Sequence, residues 1–200
     1  MITVRQYEAP PVSEREILRY AGAKEPSEEI LSLLRACLRE IEGKLTYRVC
    51  FTECPISLDE AGISLGFATI ESAALHKNMV GCERAIVFAA TVGLEIDRMI
   101  ARAAKTSPAK ALFLQAIGTE RIEALCDLFC GELSEELVHT EMTVRPRFSP
   151  GYGDLPLSFQ KEIFRLLDCP RRIGLSLNES LLMSPTKSVT ALMGIDRRKQ

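Results

Sequence analysis

The segment RPRFSPGYGDLPLS, residues 145–158, carries the side chains of this sequence best suited to holding a small charged ligand. Pro150 presets φ for the second position of a turn, and Gly151 supplies the positive φ wanted at the third, the preference of a type II turn. Such a turn leaves backbone N–H and C=O groups facing outward, where they can bond a planar heterocycle. Arg147, three residues earlier, can fork onto a carboxylate through two parallel hydrogen bonds. Tyr152 adds an aromatic face and a hydroxyl. These groups suit a ligand that is an amino acid at one end and a purine at the other. The same spacing also fits a proline-stiffened surface connection with an incidental salt bridge.

Other constellations offer less. Cys50 and Cys54 are followed by Ser57 where an iron–sulfur cradle needs a third thiolate. Cys126 and Cys130 stand at i, i+4 on a helical pattern, but neither His76 nor His139 has the spacing to complete a zinc site, so buried thiols are the better reading. Gly151-Tyr-Gly153-Asp-Leu-Pro156 begins like a dinucleotide fingerprint and then puts proline where the third glycine belongs. There is no phosphate-binding loop, no nucleophile elbow and no histidine with the neighbours of a catalytic base. The residues do not spell an independent hydrolase.

The elements that must position the loop are read from periodicity. Residues 1–12 read as an extended arm ended by Pro10-Pro11, and 13–22 as a short helix. Ser27 caps a stronger helix, in which Ile30, Leu33, Leu34, Cys37, Leu38 and Ile41 form one apolar stripe. Residues 45–67 are β-rich, 70–80 helical, and RAIVFAATVG is a fully apolar strand stopped by Gly93. A helix over 94–105 precedes Ser107-Pro108, an N-cap and first-position proline opening a helix to about residue 138. A strand at 142–147, the loop, a helix at 157–168 and two β segments around Ser184-Pro185 complete the chain. Without strict βαβ alternation, the expected class is α+β, with mixed helices packed on a mainly antiparallel twisted sheet. One domain over 1–200 is expected, with a helical N-terminal arm over 1–45.

Two hundred residues bury enough surface for a core without staples. A net charge of −2 gives no general attraction to nucleic acid or acidic membranes, and Arg197-Arg198-Lys199 reads as a short solvated tail. The longest near-continuous apolar run, 85–92, is far short of the ~20 residues that span a bilayer. The N-terminus lacks the apolar segment of a signal peptide. Seven cysteines with no scaffold spacing predict reduced thiols and a cytoplasmic location.

At two places the sequence resembles the reactivation, or S-adenosylmethionine-binding, domain of cobalamin-dependent methionine synthase. The family's RxxxGY motif reads here as Arg147-Phe-Ser-Pro-Gly151-Tyr152. About thirty residues on, the family's Thr-Glu-Ser-x-x-Met-x-Pro-x-x-Ser-Val stretch stands as Asn178-Glu179-Ser180-Leu-Leu-Met183-Ser-Pro185-Thr-Lys-Ser188-Val189. EALCDLFCGEL looks like the helix that precedes the first motif. The likeness is firm over about 120–193 and covers a family-like core of 80–195.

The resemblance implies a methionine synthase activation domain-like fold and S-adenosylmethionine as ligand, with its carboxylate on Arg147. Pro150, Gly151 and Tyr152 would hold the rest, with Asp127 balancing positive charge and Glu179 among the binding residues. Glu120, Glu123 and Asp127 fall on the more polar stripe of their helix, away from Leu125 and Phe129, a pattern that also fits a plain solvated face. It implies a free-standing reactivation subunit, a component of methionine synthase rather than an independent enzyme. Such a subunit supports reductive methylation of cob(II)alamin carried by a partner corrinoid protein, with the electron from a flavodoxin- or ferredoxin-type protein. A non-catalytic corrinoid-docking or S-adenosylmethionine-sensing module is the alternative, and a scaffold that binds only protein is a third. The chain departs from the family in length, in lacking an aspartate near the domain's start, and in placing Met193 where a tyrosine follows the Ser-Val pair.

Overall fold

The computed structural model describes residues 1–59 and 62–197. Strand β1 (Thr3–Tyr7) is followed by helices α1 (Glu14–Tyr20) and α2 (Glu28–Ile41). Strand β2 (Tyr47–Pro55) leads into a small meander of β3 (Ser57–Asp59), β4 (Gly62–Ser64) and β5 (Thr69–Ile70). Helix α3 (Ala73–Met79), strand β6 (Arg84–Thr91), and helices α4 (Glu95–Ala103) and α5 (Pro108–Glu136) come next. Strand β7 (Met142–Val144) precedes the proline loop and a single 3-10 turn (Leu157–Phe159). Helices α6 (Gln160–Leu167) and α7 (Cys169–Ile173), a ribbon of β8 (Ser176–Leu177) with β9 (Met183–Ser184), and the long strand β10 (Ser188–Arg197) close the chain. The caps read from sequence are made: Ser27 Oγ accepts from the Ile30 amide and Ser107 Oγ from the Lys110 amide, both at 3.4 Å.

The main sheet runs β1-β2-β6-β10-β7, and every neighbouring pair is antiparallel. Its centre is buried on both faces, which is why β6 reads as an unbroken apolar run rather than an alternating one. Ile86, Phe88 and Ala90 point into a core shared with α1, α2, α4 and α5, while Ala85, Val87 and Ala89 point into a second core under α3, α6 and α7. Phe129 of α5 packs its ring 5.1 Å from both Phe88 and Phe51, locking α5 across the first face. Among the described residues no helix is long and apolar enough to cross a membrane.

Three local expectations are corrected. The extended arm is a strand over Thr3–Tyr7 paired with β2, so the N-terminal segment adds an edge to the sheet as well as two helices. The two β segments near the C-terminus are three, because β8 and β9 pair with each other and only β10 joins the main sheet. Glu120, placed by spacing on a polar stripe of α5, is 4% exposed. Of the basic end, Arg198 and Lys199 lie outside the described residues.

Glu120 is buried because it serves Arg121, which is only 1% exposed and has a partner at each of its three nitrogens. Arg121 donates to both Glu120 oxygens at 2.5 and 2.6 Å, to Pro10 O at 2.5 Å and to Pro11 O at 2.7 Å. Glu120 also accepts from the Ser13 amide at 3.0 Å. This clamp fastens the segment between β1 and α1 onto α5. Removing one partner of a buried pair strands the other, at about 3–5 kcal/mol. Arg121→Ala is therefore expected to lower unfolding free energy by that amount in a urea titration, with amide exchange rising around residues 10–13.

Candidate functional site

Strand β10 pairs with β6 from Ser188 to Ile195, but its other edge is covered only in part. β7 covers Ile195–Arg197, and a single bridge joins Phe148 to Leu192 through hydrogen bonds of 2.8 and 2.9 Å. Beyond that bridge the chain leaves the strand at Pro150, which has no N–H to offer a ladder. The segment 188–190 therefore faces a cleft of about 330 Å3 instead of another strand.

The loop is rigid for reasons visible in its bonds. The Tyr152 amide donates to Ser149 O at 3.1 Å, closing the turn around Pro150 and Gly151, with Gly151 at φ +95°. That is the positive φ the spacing predicts. The Gly151 amide donates to Leu155 O at 2.9 Å and the Leu155 amide to Tyr152 O at 3.0 Å, and Leu155 is buried. At Gly153, φ is +55° and an added Cβ would stand 2.8 Å from the Ala74 Cβ, so loop and α3 touch closely. Asp154 completes the joint: it accepts from Ser72 Oγ at 2.5 Å and from the Ala73 and Ala74 amides at 2.7 and 3.1 Å.

The loop's two arginines part company. Arg145 is spent on the fold, bonding Asp196 at 2.5 Å and Val80 O at 3.2 Å. Arg147 lines the cleft and reaches α5, where it donates to Glu123 at 2.5 Å and Asp127 at 2.7 Å. Burial alone would lower its pKa, but the bond to Asp127 and the charges of both carboxylates raise it, so the guanidinium stays charged at any working pH. Two carboxylates around one guanidinium leave the cluster one negative charge in excess. Glu123 and Asp127 are i, i+4 neighbours on α5 and share a face.

Of the residues singled out from sequence, Arg147, Pro150 and Tyr152 line the cleft, and Gly151 shapes the turn between them. Asp127 is exposed and meets the site through Arg147. Glu179 is exposed in the connection between β8 and β9 and does not line the cleft, although Met183 of β9 does. Sequence reading missed Glu123, Gln160, Ser188 and Thr190 as lining groups. A signal existed for two of them. Gln160 shares the stripe of Ile163, Phe164 and Leu167, and Thr190 takes its turn with Leu192 on a buried face of β10. Each is a polar residue at a core position. Gln160 Oε1 and Thr190 Oγ1 are buried with no hydrogen-bond partner among the described residues. Leaving such an acceptor unpaired costs about 1–3 kcal/mol. The cleft wall thus fits a ligand that brings hydrogen-bond donors, and its volume falls within the range of about 300–1,000 Å3 common to small-molecule sites.

The Ser72 hydroxyl, with the Ala74 and Ala73 amides, holds Asp154 below the ordinary aspartate pKa. A depressed pKa contributes stability above the unfolded value and loses it as pH falls through the folded one. Protection of the Ala73 and Ala74 amides from exchange is expected to hold at neutral pH and to be lost only once pH falls beneath the ordinary aspartate value of about 3.9. In Asp154→Ala it should already be weak at neutral pH.

With this geometry in view, the comparisons with known proteins can be placed. The family model for the activation domain of vitamin B12-dependent methionine synthase matches residues 75–199, a span that contains α5, the loop and β10. No curated protein matches the chain. Thirteen chains of solved structures do. Among them is the crystal structure of the MetH reactivation domain bound to AdoHcy, with a TM-score of 0.70 at 15% identity, covering 100% of this chain and 80% of that one. At that identity the likeness is one of fold, and it extends over the N-terminal helices that the family model leaves out. The chain belongs to the activation domain family of vitamin B12-dependent methionine synthase.

Proposed function

We propose that the chain binds S-adenosylmethionine in the cleft at the open edge of β10 and serves as a reactivation subunit for a methionine synthase whose cobalamin is carried by a separate protein. The observation that carries this reading is the Glu123–Arg147–Asp127 cluster beside the Pro150–Gly151 turn. Arg147 has five N–H donors and gives two of them to its carboxylates, so donors remain for a ligand carboxylate. Glu123 lines the cleft beside it and offers a counter-charge to an ammonium or sulfonium. The excess negative charge of the cluster suits S-adenosylmethionine, which carries one net positive charge, better than its neutral demethylated product.

When bound, S-adenosylmethionine supplies an activated methyl group on sulfur, and a flavodoxin- or ferredoxin-type protein supplies one electron to the cobalt centre of the partner. The residues of this chain orient and shield, and no general base is required of them. Tyr152, Leu157 and Leu182 are 67%, 42% and 64% exposed, although large and apolar. Tyr152 lines the cleft and Leu182 adjoins Met183, which also lines it. This apolar rim supports docking of a corrinoid-bearing partner over the cleft mouth. All seven cysteines are free thiols, which supports a reducing, cytoplasmic setting.

Calorimetric titration with S-adenosylmethionine tests the ligand. Arg147→Ala is expected to weaken binding by about 1.5–3 kcal/mol, the scale of a charged hydrogen bond. Unchanged affinity removes Arg147 from the site. Asp127→Asn and Glu123→Gln should weaken S-adenosylmethionine more than AdoHcy, because only the former carries the sulfonium charge. Transfer of a labelled methyl group to a reduced corrinoid protein in trans tests the role. Binding without transfer would make the chain a docking or sensing module instead.

A further inference from the structure

The cleft has two chemically different halves, divided by the plane of the sheet. Glu123 and Arg147 lie toward α5, on the face where Ala191, Met193 and Ile195 of β10 are packed. Side chains alternate along a strand, so Thr190 and Leu192 point to the opposite face, toward α6, where Leu192 joins the second core. Gln160 opens α6 on that same side. The first half is ionic. The second is neutral: Gln160 and Thr190 are 5% and 2% exposed, both line the cleft, and each carries an oxygen without a partner among the described residues. The buried Ser188 beside them is already satisfied, its hydroxyl bonded to Thr91 Oγ1 at 2.9 Å and Pro185 O at 2.8 Å.

Resting on the reading of the cleft as an S-adenosylmethionine site, we propose that Gln160 and Thr190 recognise the nucleoside end of the ligand, with Gln160 reading the amine-bearing edge of adenine. A charged amino-acid end belongs with the ionic half. What remains of the ligand is uncharged and brings donors, and the neutral half holds two oxygens that no donor among the described residues meets. A carboxamide offers an acceptor beside a donor, the complement of an exocyclic amine next to a ring nitrogen. The Thr190 hydroxyl can turn to meet a further polar atom of the base or sugar. The residues are specificity-determining rather than catalytic, since neither is called on to touch the sulfonium methyl.

The test separates the halves with fragments. 5′-Methylthioadenosine carries the nucleoside without the amino acid, and S-methylmethionine carries the sulfonium amino acid without the nucleoside. Gln160→Met and Thr190→Val keep volume and remove the polar groups. Each is expected to weaken 5′-methylthioadenosine and S-adenosylmethionine roughly tenfold, the effect of one buried hydrogen bond, and to leave S-methylmethionine unchanged. Wild type should prefer 5′-methylthioadenosine to 5′-methylthioinosine, in which a carbonyl replaces the amine, and Gln160→Met should lose that preference. Because the oxygens have no partner in the ligand-free fold, both variants should melt no lower than wild type. Variants that bind 5′-methylthioadenosine as wild type does overturn the assignment while leaving the ligand reading intact, provided wild type binds S-adenosylmethionine. Equal weakening of S-methylmethionine, or a lowered melting temperature, also overturns it. Wild type that binds neither S-adenosylmethionine nor 5′-methylthioadenosine overturns both.

Discussion

A strand whose outer edge is only half covered sets the character of this molecule. Backbone groups along a sheet edge need partners or water, and β10 is held to β6 along eight residues while its far side meets β7 over three. The chain runs back along that edge as far as the Phe148–Leu192 bridge and then turns away, because Pro150 lacks an N–H and Gly151 takes a positive φ. A cleft results between strand and turn, with backbone on one wall and a braced loop on the other. Sites that must hold a planar heterocycle gain from such rigidity, since little further ordering is needed when the ligand arrives.

Helix α5 converts that local opening into a charged site. Its middle carries Glu123 and Asp127 to the guanidinium of Arg147, and one turn earlier the same helix carries the buried Glu120–Arg121 clamp on residues 10–13. At its far end Glu132 accepts from Arg5 at 3.2 Å and from the Tyr7 hydroxyl at 2.7 Å, tying the helix to β1. The N-terminal segment therefore does structural work for the site, and its Pro10, Pro11 and Ser13 line a groove beside Glu123 and Asp127. It fixes the height and rotation of the helix that faces Arg147. The match to a reactivation domain fold covers the whole chain and so includes this segment, which lies outside the family model's span.

Most of this was legible in the sequence where one physical rule acted alone. Helix caps at Ser27 and Ser107, the apolar run of β6 and the turn at Pro150-Gly151 follow from side-chain hydrogen bonding, burial on two faces and φ preference. Reading failed where partners lie far apart in the chain. Thr3–Tyr7 is too short and polar to declare itself a strand until β2 is beside it. Glu120 looks solvated until Arg121 and two proline carbonyls surround it. Position in the motif sets Arg147 apart from Arg145, but not the partners, and Asp196 takes one while α5 takes the other. Gln160 and Thr190 were the recoverable miss, because a polar residue in an apolar stripe must be satisfied by something.

The residue at position 193 bears on the same geometry. Position 193 alternates with 190 and 192 so that its side chain enters the α5-side core, where the sulfur sits 3.3 Å from Cys130 Sγ and the residue is 1% exposed. A methionine there fills the seam between β10 and α5 and does not line the cleft. With methionine at 193, the ionic half keeps Glu123 and Arg147, and the neutral half keeps Thr190 and Gln160. Affinity in such a cleft is set by whether one ligand can satisfy both halves at once. On the proposed reading, a sulfonium amino acid joined to a purine nucleoside would meet the ionic half with its charged end and the neutral half with its base.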